Sequence, residues 1–283
     1  FLIYFKIYFL YLLYIKLMSK ENAVIEVQRT TNAVITSEEA PETNVIKYRL
    51  SRKLVSEYTG TMLLVSSVVG SGIMGDELSL DDGVTLLGNT LSTIGSLYIL
   101  INVFGTISGA HFNPVVSTMV WFKNGITNKE LACYVPCQII GGISGTALAH
   151  VMFGYQFLDV STNDRDTGGE FLSEIVATFG LLTVLSSYVA NGRDINEIAT
   201  AVSMYIMSGY WVTHATCFAN PAISVARTFT NTYTGISFKS WPNYLFGQLF
   251  GLIFALPFYE WVFNNKTFIE SVKVLKKWDN SEE

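Results

Sequence analysis

The sequence predicts an all-α polytopic membrane protein, with six transmembrane helices and two half-length helices arranged as an inverted repeat. Three observations carry this. Of the 283 residues, 50% are hydrophobic and only 14% charged, against about 25% charged in ordinary soluble domains. Long runs such as Val84–Phe104 and Leu131–Phe153 contain no Lys, Arg, Asp or Glu, and about 20 predominantly apolar residues suffice to cross roughly 30 Å of hydrocarbon. An Asn-Pro pair also occurs twice, in Asn113-Pro114-Val115 and Asn220-Pro221-Ala222, each time opening an apolar run too short to span a bilayer.

Residues 1–48 are expected to form a disordered N-terminal tail, because 19–48 are polar and lack a sustained apolar period. Residues 1–17 use only Phe, Leu, Ile, Tyr and Lys and have no small-residue cleavage site, which argues against a signal peptide. The preferred reading is sequence foreign to the native protein, with Met18 resembling a normal start; an extra membrane-associated helix is the alternative. The membrane domain then covers 49–263, with spans at Leu54–Met74, Val84–Phe104, Leu131–Phe153, Phe171–Ala190, Ile195–Thr213 and Asn243–Phe263. A cytosolic C-terminal tail takes residues 264–283.

Orientation follows from the short-loop Lys and Arg distribution. Lys47, Arg49, Arg52 and Lys53 precede the first span, Lys123 and Lys129 precede the third, Arg193 follows the fourth, and Lys266, Lys273, Lys276 and Lys277 follow the last. The opposite side carries acidic stretches at 76–82 and 159–166. Both termini are therefore expected in the cytosol. The chain also repeats itself: Glu57-x-x-x-Thr61 opens the first span and Glu174-x-x-x-Thr178 the fourth, each two spans ahead of its Asn-Pro. Three spans per half set the halves in opposite orientations, an architecture that places functional sites near the bilayer midplane.

The chemistry of Asn-Pro is that of a helix start. An asparagine side chain satisfies orphan backbone N–H groups of the first turn, and proline fits the next position because its missing donor would be unpaired anyway. The helices so begun last about ten residues, roughly 15 Å, or half a membrane. Entering from opposite faces, they can meet at the midplane with their positive dipole ends converging. Irregular backbone at that depth has to be buried or line a water-filled cavity. Two asparagine amides can then donate hydrogen bonds to a passing oxygen, while the converged positive ends oppose cations and protons.

Other classes find little support. A net charge of −5, with no basic cluster interleaved with aromatics, argues against nucleic acid. Cys133, Cys137 and Cys217 fit neither a disulfide framework nor a zinc spacing, and the first two read as small packing residues on a helix. His111, His150 and His214 are scattered, so no metal site and no cofactor are expected. No nucleophile, base and oxyanion set falls at a recognisable spacing, which argues against an enzyme. A secondary transporter is the alternative reading of the inverted repeat; it needs coupling-ion ligands, and only the two glutamates offer intramembrane charge. A non-conducting membrane scaffold is the remaining reading.

"SGAHFNPVVS" at 108–117 and "FANPAISVAR" at 218–227 resemble the two signature loops of the aquaporin (major intrinsic protein) family, with Val115 in place of the usual alanine. The likeness extends over roughly 50–263 and takes in the Glu-x-x-x-Thr openings. It implies an aquaporin-like channel for water or small neutral solutes, assembled as a homotetramer. It also implies Asn113 and Asn220 as central donors flanked by Pro114, Val115, Pro221 and Ala222, His111 along the cytosolic approach, and Glu57 and Glu174 as scaffold acceptors. The family usually places an arginine directly after the second motif, where this chain has Ile223. Counted without gaps from each Asn-Pro, the other outer-filter positions fall on Thr93, Ser208 and Cys217, and small residues there imply a mouth wide enough for glycerol, urea or undissociated metalloid acids. Arg227 shares a helical face with Ile223, and two roles stand for it: reaching the outer vestibule, or binding loop carbonyls or the acids at 159–166. His111 is expected to be a neutral pore-lining imidazole and His214 a loop-packing residue, rather than pH gates.

Overall fold

An apolar run inside a bilayer has no water to satisfy its backbone, so each run has to close its own hydrogen bonds as a helix. The computed structural model describes residues 48–264, so the tails expected at 1–48 and 264–283 lie, but for Tyr48 and Asn264, outside the described residues. Eight α-helices follow in order: α1 Leu50–Leu78, α2 Asp82–Ser108, α3 Pro114–Phe122, α4 Asn128–Phe153, α5 Gly168–Ala190, α6 Ile195–Val212, α7 Pro221–Ala226 and α8 Trp241–Val262. A 3₁₀ turn at Arg227–Phe229 continues α7.

Most of the long helices begin earlier than the apolar runs because their first turns are polar. Asp81 caps α2 through Gly83 N at 2.8 Å. Thr127 with Glu130, Thr167 with Glu170, and Asp194 with Glu197 form capping boxes on α4, α5 and α6, each pair satisfying N–H groups at both ends of the first turn. Among the described residues five helices are long and apolar enough to cross a membrane by composition alone. The remaining span, α6, has 18 residues and a more polar start at Asn196 and Glu197; at 1.5 Å per residue it reaches about 27 Å, close to the hydrocarbon thickness.

The half-helices are shorter than the sequence suggested. α3 has 9 residues and α7 only 6. The second tightens into a 3₁₀ turn whose carbonyls at Arg227, Thr228 and Phe229 accept from Ile236, Ser161 and Asp159 of the flanking loops instead of continuing the helix.

The two halves pack alike. α1 lies against α4 and α2, α5 against α8 and α6, and α2 meets α6; each half-helix touches both α4 and α8. Two close approaches use glycine at equivalent places. A Cβ on Gly141 of α4 would lie 2.5 Å from the Tyr58 carbonyl of α1, and one on Gly251 of α8 would lie 2.8 Å from the Ile175 carbonyl of α5. One face of the molecule carries the connections around 79–81, 154–167 and 230–240, tied together by bonds such as Asp159 N to Phe229 O and Ser237 N to Asn163 O. The other carries 123–127 and 191–194, where Lys53 pairs with Glu130 at 2.7 Å.

Candidate functional site

The two Asn-Pro starts meet nose to nose. Asn113 and Asn220 have nearly identical extended backbones, φ −156° and −155°. Each side-chain oxygen caps its own helix: Asn113 Oδ1 accepts from Val115 N at 3.0 Å and Asn220 Oδ1 from Ala222 N at 2.9 Å. Each side-chain nitrogen crosses to the other half: Asn113 Nδ2 donates to Ala219 O and Asn220 Nδ2 to Phe112 O, both at 2.8 Å. A carboxamide nitrogen has two hydrogens, so one donor per asparagine remains for the cavity that both residues line.

The approach to each asparagine is strained in the same pattern. Gly109, Ala110 and Phe112 have φ of 92°, 49° and 49°, and their counterparts Thr216, Cys217 and Ala219 have 59°, 52° and 45°. Left-handed backbone at a non-glycine residue costs about 1 kcal/mol or more and persists only where the surroundings over-determine it. Here buried glutamates do so. Glu57 accepts from His111 N at 3.0 Å, Phe112 N at 2.7 Å, the Ser108 hydroxyl at 2.6 Å and Gln138 Nε2 at 2.8 Å. Glu174 accepts from Phe218 N and Ala219 N, both at 2.9 Å, and from Gln248 Nε2 at 2.5 Å. Each glutamine also donates to a serine on its half-helix, Gln138 to Ser117 at 2.9 Å and Gln248 to Ser224 at 2.8 Å. A trans peptide points its C=O opposite its N–H. With these N–H groups turned toward the glutamates, the carbonyls of Ala110, His111, Cys217 and Phe218 belong to the opposite side, where all four residues line the cavity.

That cavity has a volume of about 310 Å³ and mostly apolar walls, with Leu181, Leu185, Val116 and Val120 among them. Thr93, Cys217 and Ile223 line it, and so does Tyr210, whose hydroxyl donates to Thr93 Oγ1 at 3.1 Å. Ser208 does not; its side chain is exposed on the other side of α6. Two residues along an α-helix rotate the side chain by about 200°, so the ungapped count chose the outward face and Tyr210 occupies the inward one. A second cavity of about 470 Å³ opens among Asn89, Thr162, Asn163, Arg165, Tyr233 and Gly235. Arg227 borders both cavities.

Pro114, Val115, Pro221 and Ala222 are buried behind the asparagines and do not line the cavity. His111 does line it, with Nδ1 3.0 Å from Ser117 Oγ and its ring 5.4 Å from Tyr134. His214 lies on the loop face, with Nδ1 3.0 Å from Glu170 Oε1. Among the described residues no cluster of His, Cys, Asp and Glu is arranged to hold a metal.

Sequence reasoning missed the second tier of the site. Tyr134-x₃-Gln138-x₂-Gly141 on α4 recurs as Tyr244-x₃-Gln248-x₂-Gly251 on α8, and a serine follows each asparagine by four residues, Ser117 and Ser224. The serine repeat falls in register when the halves are aligned on the Asn-Pro pairs, whereas the Tyr-Gln-Gly repeat needs a three-residue gap and is not met by that alignment.

Six membrane-crossing helices around two head-to-head half-helices, with a cavity through their junction, define a passive membrane channel rather than an enzyme. The chain belongs to the major intrinsic protein family, whose model matches residues 44–259. It is 42% identical over 216 residues to "Aquaglyceroporin AqpS" of Rhizobium meliloti (strain 1021), covering 76% of this chain and 92% of that protein. It is 28% identical over 237 residues to "Aquaporin NIP1-1" of Zea mays, covering 81% of each. The fold is similar to the X-ray structure of the aquaglyceroporin from Plasmodium falciparum, with a TM-score of 0.60 at 24% identity over 76% of this chain and 97% of that one.

Proposed function

We propose that this channel passes small neutral solutes such as glycerol, urea or undissociated metalloid acids, along with or in place of water. The observation that carries the reading is the wall at the loop-face end of the cavity. Ile223 and Cys217 stand beside the Thr93–Tyr210 pair, so that level offers apolar surface and few donors. A solute with both hydroxyl or amide groups and an apolar edge can bond the two asparagine amides and the loop carbonyls while its other edge lies against the aliphatic wall. The name of the 42% identical relative points the same way.

In this reading Asn113 and Asn220 form the central donors, with Pro114, Val115, Pro221 and Ala222 fixing their positions from behind. Glu57 and Glu174 are the scaffold, and Thr93, Tyr210, Cys217 and Ile223 make the outer filter. His111 lines the cytosolic approach. Both termini lie in the cytosol, as the Lys and Arg distribution favours. The channel works as a homotetramer, with exposed apolar side chains such as Val55, Leu172, Phe250 and Phe254 meeting lipid or neighbouring copies. Stopped-flow swelling of proteoliposomes tests the substrate class: glycerol and urea are expected to enter well above the rate of empty liposomes. Exclusion of both, with rapid water flux, would refute the wide filter.

A further inference from the structure

The geometry points to Arg227 as a charge barrier set apart in depth from the level that selects by size; this rests on the channel reading above. The Arg227 backbone follows Ile223 by four residues, just past the last residue of α7. It is only 3% exposed, yet it is the residue shared by the walls of the central cavity and of the loop-face cavity. The side chain therefore stands where the two cavities adjoin.

Its anchoring leaves the charge available. The Nε atom donates to the Thr234 carbonyl. The guanidinium carbon sits 3.5 Å above the Phe218 ring, two residues before Asn220, a cation–π contact that ties the side chain to the cavity wall. Among the described residues its terminal nitrogens make no hydrogen bond and it has no ion pair. Asp164, which also lines the vestibule, and Asp166 are paired with Lys239, at 3.4 Å and 3.2 Å. Arg165, whose guanidinium bonds His214 O at 3.1 Å, adds a second positive charge to the same vestibule. A partly desolvated unit charge in a narrow passage repels cations strongly because little water screens it.

Two jobs are thereby divided. Thr93, Tyr210, Cys217 and Ile223 fix the width with side chains that carry no charge, while Arg227 rejects cations where the two cavities adjoin. Neutral solutes too wide for a passage with a guanidinium across its narrowest level gain entry without opening the channel to ions.

Urea and the guanidinium ion have the same planar shape and differ in charge, which makes them the probes. In proteoliposomes the wild-type channel is expected to admit urea and refuse guanidinium. In Arg227→Gln the ratio of guanidinium to urea permeability is expected to rise at least about tenfold. Where that variant does not assemble, Ile223→Glu, which sets a carboxylate one turn back on the same face, is expected to raise the same ratio. Ile223→Ala is expected to admit larger polyols while still refusing guanidinium. Free passage of guanidinium through the wild type overturns the proposal, as does an unchanged ratio in a correctly assembled Arg227→Gln or Ile223→Glu. Should the wild type refuse both urea and glycerol while passing water, the wide-filter reading fails alone, and guanidinium current through Arg227→Gln against wild type still decides the charge barrier.

Discussion

Each asparagine at the junction divides its side chain among three tasks: capping its helix, holding the opposite loop and leaving one donor toward the cavity. That division works only if the loop before it stays in its left-handed turns, and one carboxylate per half enforces this. Glu57 takes two backbone N–H groups, a hydroxyl and an amide on its two oxygens. In Glu57→Gln one of those oxygens becomes an NH₂ facing a donor, so at least one buried N–H loses its acceptor at a cost of about 1–3 kcal/mol. The thermal midpoint in detergent is expected to fall and solute flux to drop with it, and Glu174→Gln is expected to behave the same way. Wild-type melting and flux in both variants would remove the loop-holding role. Both glutamates were legible in the sequence because each opens its span in the same Glu-x-x-x-Thr pattern. Their partners Gln138 and Gln248 were not, since a buried glutamine on an apolar helix gives no local signal and acquires meaning only beside its glutamate.

At the scale of elements, the half-helices are fixed by what lies behind them. α4 and α8 present glycine where α1 and α5 come closest, so any added side chain has to push backbone aside. Gly251→Leu would force its Cβ against the Ile175 carbonyl and the Thr178 side chain, an overpacking expected to cost about 1–3 kcal/mol or more. The helix pair that carries Gln248 would then shift, and the second half-helix with it. Gly88→Ala, whose added Cβ meets nothing within 4 Å, serves as the comparison and is expected to leave the melting temperature unchanged or raised. A loss in Gly251→Leu no larger than in Gly88→Ala would contradict the close-packing account. Asn-Pro announced where both half-helices begin, because capping is a local matter of one side chain and the next two or three N–H groups. Where the second one ends was not legible: the carbonyls of Arg227, Thr228 and Phe229 accept from Ile236, Ser161 and Asp159, partners supplied by loops elsewhere in the chain.

Over the whole molecule, the loop-face connections form a clasp around the vestibule. The Ser237 hydroxyl donates to Asp164 at 2.6 Å, and Lys239 reaches both Asp164 and Asp166. The Ser237 bond and the Lys239 ammonium hold the Asp164 carboxyl below its ordinary value of 3.8. Asp166 and Asp164 in turn raise the Lys239 ammonium above its ordinary 10.5. A depressed carboxyl stabilises the fold fully above its unfolded value, and that contribution is lost as pH falls through the folded one. The raised amine contributes fully below its unfolded value and is lost as pH rises through the folded one. The clasp is therefore expected to hold across the neutral range and to loosen only in strong acid or strong base. Hydrogen exchange at 159–166 measures this: the protection factors, corrected for the intrinsic rise of exchange with pH, are expected to be high and flat from mild acid to mild base, and lower throughout in Lys239→Met. Both charged groups are exposed, so salt is expected to weaken the effect. An exchange profile in Lys239→Met equal to that of the wild type would show that the clasp does not order the loop.

By itself the sequence determined the number of helices among the described residues, their inverted pairing and the two half-helix starts. Each of these is set by local hydropathy over about 20 residues, by a capping residue, or by a motif that occurs twice. Tertiary structure decided which face of α6 looks inward, and so put Tyr210 rather than Ser208 against the cavity. It also decided that one arginine borders two cavities. Both outcomes depend on helix rotation and on contacts between residues far apart in the chain, and a count along the sequence holds neither.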